Sequence, residues 1–197
     1  AKKHNLFVIE DNAQAIGSSY TSVNGGSKKA GTIGHVASTS FFPSKNLGCY
    51  GDGGAIFTND DDLAHTLRGI VNHGMYKRYH HDVVGVNSRL DSIQAAVLRA
   101  KLPNLDKYGA ARQLAASKYD KAFEKVENII TPVRTGEHVF HQYTLKVKGV
   151  DRDALAQHLN EKGIPCGVYY PIPLHSQKAY LDTRYNEADF TVTNQLV

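Results

Sequence analysis

Short apolar segments alternate with helical stretches through the first half of the chain, an order that only a few folds accommodate. Residues 6–9 form an uninterrupted apolar run, which is typical of a strand covered on both faces. Residues 36–42 and 55–58 have the composition of two further strands. Strands that alternate with helices predict an α/β layered sheet.

Capping residues mark the predicted helices. Asn59 is the predicted N-cap of a helix that carries acidic residues in its first turn and stops at Gly74. Apolar side chains at helical spacing predict another helix over residues 92–101. After Pro103 the same spacing continues to residue 123, which predicts a long connecting helix.

The second half of the chain has a different pattern. Residues 139–148 alternate like a strand, and residues 167–171 have the composition of a short one. Asp151 is the predicted N-cap of a helix that ends at Gly163. These features predict a small α+β domain that begins near residue 105.

Both ends of the chain lie close to or within predicted elements. The chain begins with Ala1, a few residues before the first predicted strand, and it stops inside an amphipathic segment. We therefore expect a chain truncated at both ends. Residues 1–105 are predicted to form part of a large domain, and residues 106–197 a connecting helix and an incomplete small domain.

The composition is that of a globular protein. Hydrophobic residues make up 41% and charged residues 21%, which argues against disorder, and the formal net charge of +4 is mild. Aromatic residues are not interleaved with basic ones, as a nucleic-acid surface requires. No apolar run approaches the roughly 18 residues of a membrane span, and the two cysteines lack metal or disulfide spacing. We expect a soluble, cytoplasmic protein with no nucleic-acid or membrane partner.

Polar residues lie at or just past the ends of the predicted strands, where open α/β sheets bind ligands. Asp11 ends the first strand, and Gln14 lies one turn beyond it. Ser40 lies near the end of the second strand, and Lys45 follows that strand. Each alone is an ordinary cap or loop residue. Together they would suit pyridoxal phosphate (PLP), which needs an amine for a Schiff base, an acidic partner for its ring nitrogen and small donors for its phosphate.

Several sequence blocks resemble one enzyme family in order and spacing. The blocks are residues 9–15 (IEDNAQA), 31–34 (GTIG), 40–48 (SFFPSKNLG) and 51–55 (GDGGA). They resemble the DegT/DnrJ/StrS sugar aminotransferases, which are fold-type-I PLP enzymes with a mostly parallel sheet in the large domain and a small C-terminal domain. The match covers residues 6–105 and continues more weakly through residues 169–175.

The resemblance implies a role for each candidate residue. Lys45 would be the Schiff-base lysine and the base that moves a proton between substrate and cofactor, and Asp11 would pair with the pyridinium nitrogen. Gln14 would approach the ring hydroxyl, and Ser40 would bind the phosphate. Asn87, within the sequence GVNSR, would reach the phosphate of a neighbouring subunit, so the resemblance implies a homodimer with shared active sites.

The resemblance also implies a substrate. The closest branch aminates UDP-linked 3-keto-N-acetylglucosaminuronate with L-glutamate as donor, for bacterial surface polysaccharides, and Arg89 is the expected partner of the sugar carboxylate. A PLP-dependent dehydratase or epimerase and a non-catalytic regulator of the same fold remain alternatives. The family's first half has no counterpart in this chain, so whether the chain alone binds PLP stays open.

Ten histidines raise the question of a metal site. His80 and His81 are adjacent, and His138 and His141 would face opposite sides of the predicted strand. Neither spacing suits zinc, so no metal is expected.

Overall fold

The computed structural model describes residues 1–197 and divides into two compact units. The first contains Ala1–Tyr119 and Val133–Tyr143, and the second contains Asp120–Pro132 and Thr144–Val197. The predicted boundary near residue 105 falls at the start of the long helix. In the structure the change from one unit to the other comes later, within that helix, between Tyr119 and Asp120.

Ten strands and five α-helices make up the regular structure. The helices are α1 (Asp61–Val71), α2 (Ser92–Lys101), α3 (Leu105–Phe123), α4 (Arg152–Glu161) and α5 (Thr191–Asn194). Short 3-10 turns occur at Lys2–His4, Leu102–Asn104, Leu174–Ser176, Lys178–Tyr180 and Glu187–Phe190. The strands are β1 (Ile9–Asp11), β2 (Ser19–Thr21), β3 (Ser27–Lys29), β4 (Val36–Ser40), β5 (Gly54–Phe57), β6 (Met75–Lys77), β7 (His80–His81), β8 (Ile129–Ile130), β9 (Gly136–Glu137) and β10 (Lys146–Val147).

A three-stranded sheet with the order β1-β4-β5 organises the first unit. Strands β1 and β4 run parallel, with Asp11 opposite Ser38, whereas β5 runs antiparallel to β4, with Gly54 opposite Ser40. The α/β class predicted from the sequence is confirmed, and the sheet in this chain is mixed. Smaller antiparallel sheets join β3-β2-β9 and β6-β7 in the first unit, and β10-β8 in the second.

The apolar run over residues 6–9 is not a covered strand. Leu6, Phe7 and Ile9 are 60%, 85% and 74% exposed, and β1 begins only at Ile9. The strand pairs with β4 alone and lies at the edge of its sheet. An apolar run predicts burial only where both faces of the strand are packed, and here they are open to solvent.

Helix α1 begins one residue later than the sequence suggested. Its N-cap is Asp60 rather than Asn59, because the Asp60 carboxylate accepts a hydrogen bond of 2.9 Å from the backbone N–H of Leu63. The helix ends at Val71 with Asn72 as its C-cap, so the predicted stop at Gly74 is too late. Gly74 has a φ of 74°, and its N–H donates to the Gly69 carbonyl at 2.8 Å.

The predicted helix over residues 92–101 is confirmed in full as α2. Asp91 caps it by accepting a hydrogen bond of 2.8 Å from the N–H of Gln94. Pro103 lies in the 3-10 turn that follows, and α3 then runs to Phe123, as the apolar spacing predicted.

The strand predicted over residues 139–148 is wrong. Val139 and Phe140 are buried in the first unit, and Phe140 has a left-handed φ of 40°, which a strand does not allow. Only Lys146–Val147 is extended and paired. The segment passes from the first unit to the second, so it cannot form a single strand.

Of the two other elements predicted in the second half, one is confirmed. Asp151 caps α4 through hydrogen bonds of 3.0 Å from two backbone N–H groups, and Gly163 follows the helix with a φ of 73°. Residues 167–171 form no strand. No helix in the structure combines the length and the apolar character required to span a membrane.

Candidate active site

Two candidate residues lie side by side at the carboxyl ends of the parallel strands β1 and β4. Asp11 ends β1 opposite Ser38, and Ser40 ends β4 two residues further on. The Asp11 carboxylate accepts a hydrogen bond of 3.1 Å from the N–H of Ala13, and the Ser40 hydroxyl accepts one of 3.2 Å from the N–H of Phe42. Both side chains are therefore fixed at the carboxyl ends of adjacent strands, where open α/β sheets bind ligands.

Lys45 lies on a loop that leaves β4 and closes on itself. The N–H of Cys49 donates to the Phe41 carbonyl at 2.8 Å, and the N–H of Lys45 donates to the Phe42 carbonyl at 2.9 Å. The Cys49 thiol adds a contact of 2.9 Å to the Phe41 carbonyl. Because Phe41, Leu47 and Cys49 are buried in the core, the loop is anchored at both ends while Lys45 stays half-buried.

Gly48 allows the loop to close this tightly. A Cβ atom at this position would lie 2.4 Å from the Pro43 carbonyl oxygen and 2.7 Å from that of Phe42, both of which are backbone atoms. The Lys101 ammonium donates to the Gly48 carbonyl and thereby ties α2 to the loop. Only glycine fits here without moving the backbone around Lys45.

Two polar groups contact the side chain of Asn46, the residue next to Lys45. The Asn46 amide donates to the Val139 carbonyl at 3.1 Å, and its oxygen lies 3.2 Å from Nδ1 of His141. Burial lowers the pKa of His141, and the nearby positive charges of Lys45 and Arg112 lower it further. The ring next to Lys45 is therefore held towards its neutral form.

Glu10 organises the glycine-containing segment 31–34 beside β1. Its carboxylate accepts hydrogen bonds of 2.8, 2.6 and 2.6 Å from the N–H groups of Gly31, Ile33 and Gly34. Burial raises the pKa of this carboxyl, but the three N–H groups outweigh it and bring the pKa below its ordinary value. Segment 31–34, one of the blocks that resemble the sugar aminotransferases, is thus held to the end of β1 by a single carboxylate.

Asn87 and Arg89 lie together in a separate part of the first unit. The Arg89 guanidinium donates to the Asn87 side-chain oxygen at 3.1 Å, and both residues are exposed. Asn87 bridges to Asn72, just after α1. The structure shows no hydrogen bond from this pair to Asp11, Ser40 or Lys45.

Gly74 and Gly85 make the position of the Asn87 segment possible. A Cβ on Gly85 would lie 2.1 Å from the Gly74 nitrogen, and one on Gly74 would lie 1.7 Å from the Val83 carbonyl oxygen. The two backbones therefore cross in direct contact. Gln14 is exposed in the turn after Asp11 and makes no side-chain hydrogen bond.

Sequence reasoning missed Glu10, Asn46 and His141. Glu10 is adjacent to Asp11 and Asn46 to Lys45, so their positions in the motifs were a usable signal. His141 was weighed only as a metal ligand. No group of three or more His, Cys, Asp or Glu side chains in the structure could hold a metal ion.

A carboxylate, a hydroxyl and a lysine at the carboxyl edge of a mixed α/β sheet suit PLP, since they supply the three kinds of group that the cofactor requires. The mixed α/β fold that carries these residues resembles that of PLP-dependent aminotransferases. The chain belongs to the DegT/DnrJ/EryC1/StrS aminotransferase family, whose model matches residues 1–197. The family and its solved members depend on PLP.

Three similar proteins illustrate the relationship. A pleiotropic regulatory protein of Geobacillus stearothermophilus is 48% identical over 95% of this chain and 50% of its own length. The UDP-2-acetamido-2-deoxy-3-oxo-D-glucuronate aminotransferase of Pseudomonas aeruginosa is 47% identical over 93% of this chain and 50% of its own. The X-ray structure of S. venezuelae DesV, in complex with a ketimine intermediate, matches with a TM-score of 0.90 and 38% identity over 100% of this chain and 52% of that one. The chain thus spans about half the length of the relatives it matches.

Proposed function

We propose that this chain forms the lysine-bearing part of an aminotransferase that moves an amino group from L-glutamate to the keto group of a nucleotide-linked sugar. The observation that carries the proposal is the parallel register of β1 and β4. This register brings Asp11 and Ser40 together at the carboxyl ends of the two strands, and Lys45 lies on the closed loop that follows β4. The relatives named as nucleotide-sugar aminotransferases support the same reaction class.

PLP, when bound, withdraws electrons from the carbon that loses or gains a proton. Lys45 would hold the cofactor and shuttle that proton on its side-chain nitrogen. Asp11 would keep a proton on the ring nitrogen through its carboxylate, and Ser40 would donate its hydroxyl to the phosphate. Gln14, one turn beyond Asp11, would approach the ring hydroxyl, where its exposed amide is free to turn.

The direct test is product analysis of the full-length protein with a nucleotide-linked keto sugar and glutamate. We expect an amino sugar and 2-oxoglutarate, and we expect Lys45→Ala to abolish both. Lys107→Ala removes an exposed lysine from α3 and is the matched control, which should keep full activity. Turnover by Lys45→Ala at the wild-type rate would refute the assignment of Lys45.

Asp11→Ala separates cofactor binding from catalysis. Without its carboxylate the ring nitrogen loses its protonated state, so the variant should still bind some PLP but lose most of its kcat. Absorbance titration with PLP and steady-state kinetics measure the two effects. Wild-type kcat in Asp11→Ala would contradict the proposed role.

The second part of the proposal is a homodimer in which Asn87 completes the partner's site. Asn87 is exposed, and no hydrogen bond joins it to the Lys45 loop of its own chain. Mixing Lys45→Ala chains with Asn87→Ala chains should restore part of the activity through hybrid dimers that contain one intact site. A mixture as inactive as the two separate variants would contradict a shared site.

The proposed sugar is UDP-3-keto-N-acetylglucosaminuronate. A uronate carboxylate can form a bidentate pair with a guanidinium. Arg89 is exposed and donates to the Asn87 side chain at 3.1 Å, so Arg89 and Asn87 would contact a ligand together. We expect the wild type to prefer the uronate over its neutral 6-hydroxyl analogue, and this preference to shrink in Arg89→Ala. Equal use of both sugars by the wild type would refute the uronate assignment.

A regulatory function is the second candidate, because the Geobacillus relative is named a pleiotropic regulatory protein. A regulatory protein with this fold need not convert a substrate into product. Formation of the amino sugar at a rate that depends on Lys45 would support the enzymatic function. Cofactor binding without any product from a panel of UDP-, dTDP- and GDP-linked keto sugars would decide for the regulator.

A further inference from the structure

Asn46, the neighbour of Lys45, is buried although it is polar. The residue is only 8% exposed, and both ends of its side-chain amide are in polar contact. Nδ2 donates to the Val139 carbonyl at 3.1 Å, and Oδ1 lies 3.2 Å from Nδ1 of His141. A buried amide is tolerated only when it is hydrogen-bonded, so these two contacts fix the side chain in one orientation.

The orientation of the Asn46 amide also fixes the state of His141. Because Nδ2 faces a carbonyl, Oδ1 is the atom that faces the imidazole, and it can only accept a hydrogen bond. Nδ1 of His141 must therefore carry the proton. Burial and the positive charges of Lys45 and Arg112 lower the pKa of His141, which favours a neutral ring that donates to Asn46.

The segment that receives Asn46 is itself held firmly. Arg112 on α3 donates to the carbonyls of Phe140 and His141 at 3.0 and 3.4 Å. The Phe140 N–H donates to Nδ1 of His138 at 2.8 Å, and Val139 and Phe140 are buried. Asn46 is thus bound to a rigid support rather than to a mobile loop.

The contacts of Asn46 are not needed to close the loop. Phe41, Leu47 and Cys49 already anchor the loop in the core, and Lys101 ties Gly48 to α2. On the side of Asn46 there is instead an open depression in the surface, so packing alone does not define this side. The depression is lined by Asn46, Tyr108, Ala111, Arg112 and Ala115.

We propose that Asn46 is a positioning residue for Lys45 and that His141 holds the Asn46 amide in place. The inference rests on the proposed function, in which the Lys45 nitrogen carries the cofactor and moves a proton. Adjacent residues share one peptide plane, so a fixed Asn46 restrains the position of the Lys45 backbone from which its side chain extends. Proton transfer depends steeply on such placement, because an error of about 1 Å can cost on the order of a hundredfold in rate.

The test compares Asn46→Ala with wild type in the full-length protein. We expect kcat to fall by about tenfold or more, with KM for the sugar within about threefold, because ground-state binding is left intact. Asn59→Ala, which removes an exposed asparagine near α1, is the matched control and should keep both constants. Wild-type kcat in Asn46→Ala would overturn the proposal.

A second readout does not need the cofactor. The apo protein is labelled with limiting acetic anhydride, and mass spectrometry compares the acetylation rate of Lys45 with that of Lys107. We expect Asn46→Ala to change the relative rate at Lys45 and to leave Lys107 unchanged. An unchanged Lys45 rate would overturn the positioning role even if the protein had no transaminase activity, whereas inactivity of the wild type would overturn only the proposed function.

His141 provides a second variant in case Asn46→Ala does not fold. His141→Ala removes the donor to Oδ1 at a half-buried site and should lower kcat in the same direction, while His141→Gln retains an N–H donor and should recover part of the loss. Equal kcat in wild type and His141→Ala would overturn the role of His141. Failure of His141→Gln to exceed His141→Ala would refute the hydrogen bond as the cause.

Discussion

Replacement of Gly48 by alanine tests whether the Lys45 loop is as tightly closed as the structure shows. The new Cβ would lie 2.4 Å from the Pro43 carbonyl oxygen, whereas ordinary contacts begin at 3.4 Å, so the backbone must open by about 1 Å. That opening works against two hydrogen bonds, from the N–H of Lys45 to Phe42 and from the N–H of Cys49 to Phe41.

The cost follows from these contacts. Overpacking costs about 1–3 kcal/mol, and each lost backbone hydrogen bond about 0.5–1.5 kcal/mol. We expect Gly48→Ala to lower the free energy of unfolding by about 2–4 kcal/mol, on the assumption that the backbone relaxes in part. Because the displaced backbone carries Lys45, kcat should fall as well, by about tenfold or more.

Urea unfolding of the full-length protein measures the stability, and product formation measures kcat. Gly26→Ala is the matched control, since its Cβ would meet only the Ser22 hydroxyl at 3.7 Å and its φ is not positive. The control should match or slightly exceed wild-type stability, by up to about 1 kcal/mol. A Gly48→Ala protein as stable and active as the wild type would refute the tight closure of the loop.

Three further predictions concern the supports around the site. Glu10→Gln should lower the free energy of unfolding by about 1–3 kcal/mol in urea titrations. Because folding lowers the pKa of Glu10, the stabilisation by its carboxylate should be lost in the wild type as the pH falls below about 4.5, whereas Glu10→Gln should show no such loss. Asp60→Ala should cost about 1 kcal/mol by loss of the α1 cap, whereas Asn59→Ala should cost almost nothing. Burial and the charge of Arg134 lower the pKa of His138, so urea titrations should show stability falling as the pH drops below about 6.5, and the fall should be smaller in His138→Gln.

Local signals predicted the helices well because the helices are determined locally. Residues 92–101 have apolar spacing, with Asp91 before them as a cap, and the observed helix has the same limits. Residues 139–148 alternate equally clearly, yet they form no single strand, because Val139 and Phe140 belong to the core of the first unit. Burial in tertiary structure overrides a local alternation, and a sequence pattern alone does not reveal it.

The strand-end residues of the candidate site were predictable for a similar reason. Asp11 and Ser40 end strands β1 and β4, and parallel strands bring such positions together. The support of Lys45 was not predictable, because His141 lies 95 residues from Asn46 and meets it only in the folded chain. The family motif gave the position of Lys45, while the reason for its fixed backbone appears only in the contacts.

The most direct measurement is the identity of the lysine that carries the cofactor. The full-length protein is loaded with PLP, reduced with borohydride and digested, and the peptides are analysed by mass spectrometry. We predict a pyridoxyl group on Lys45 in the wild type and none on the corresponding peptide of Lys45→Ala. A label on Lys101 or Lys107 with Lys45 unmodified, or no label on any lysine, would contradict the account.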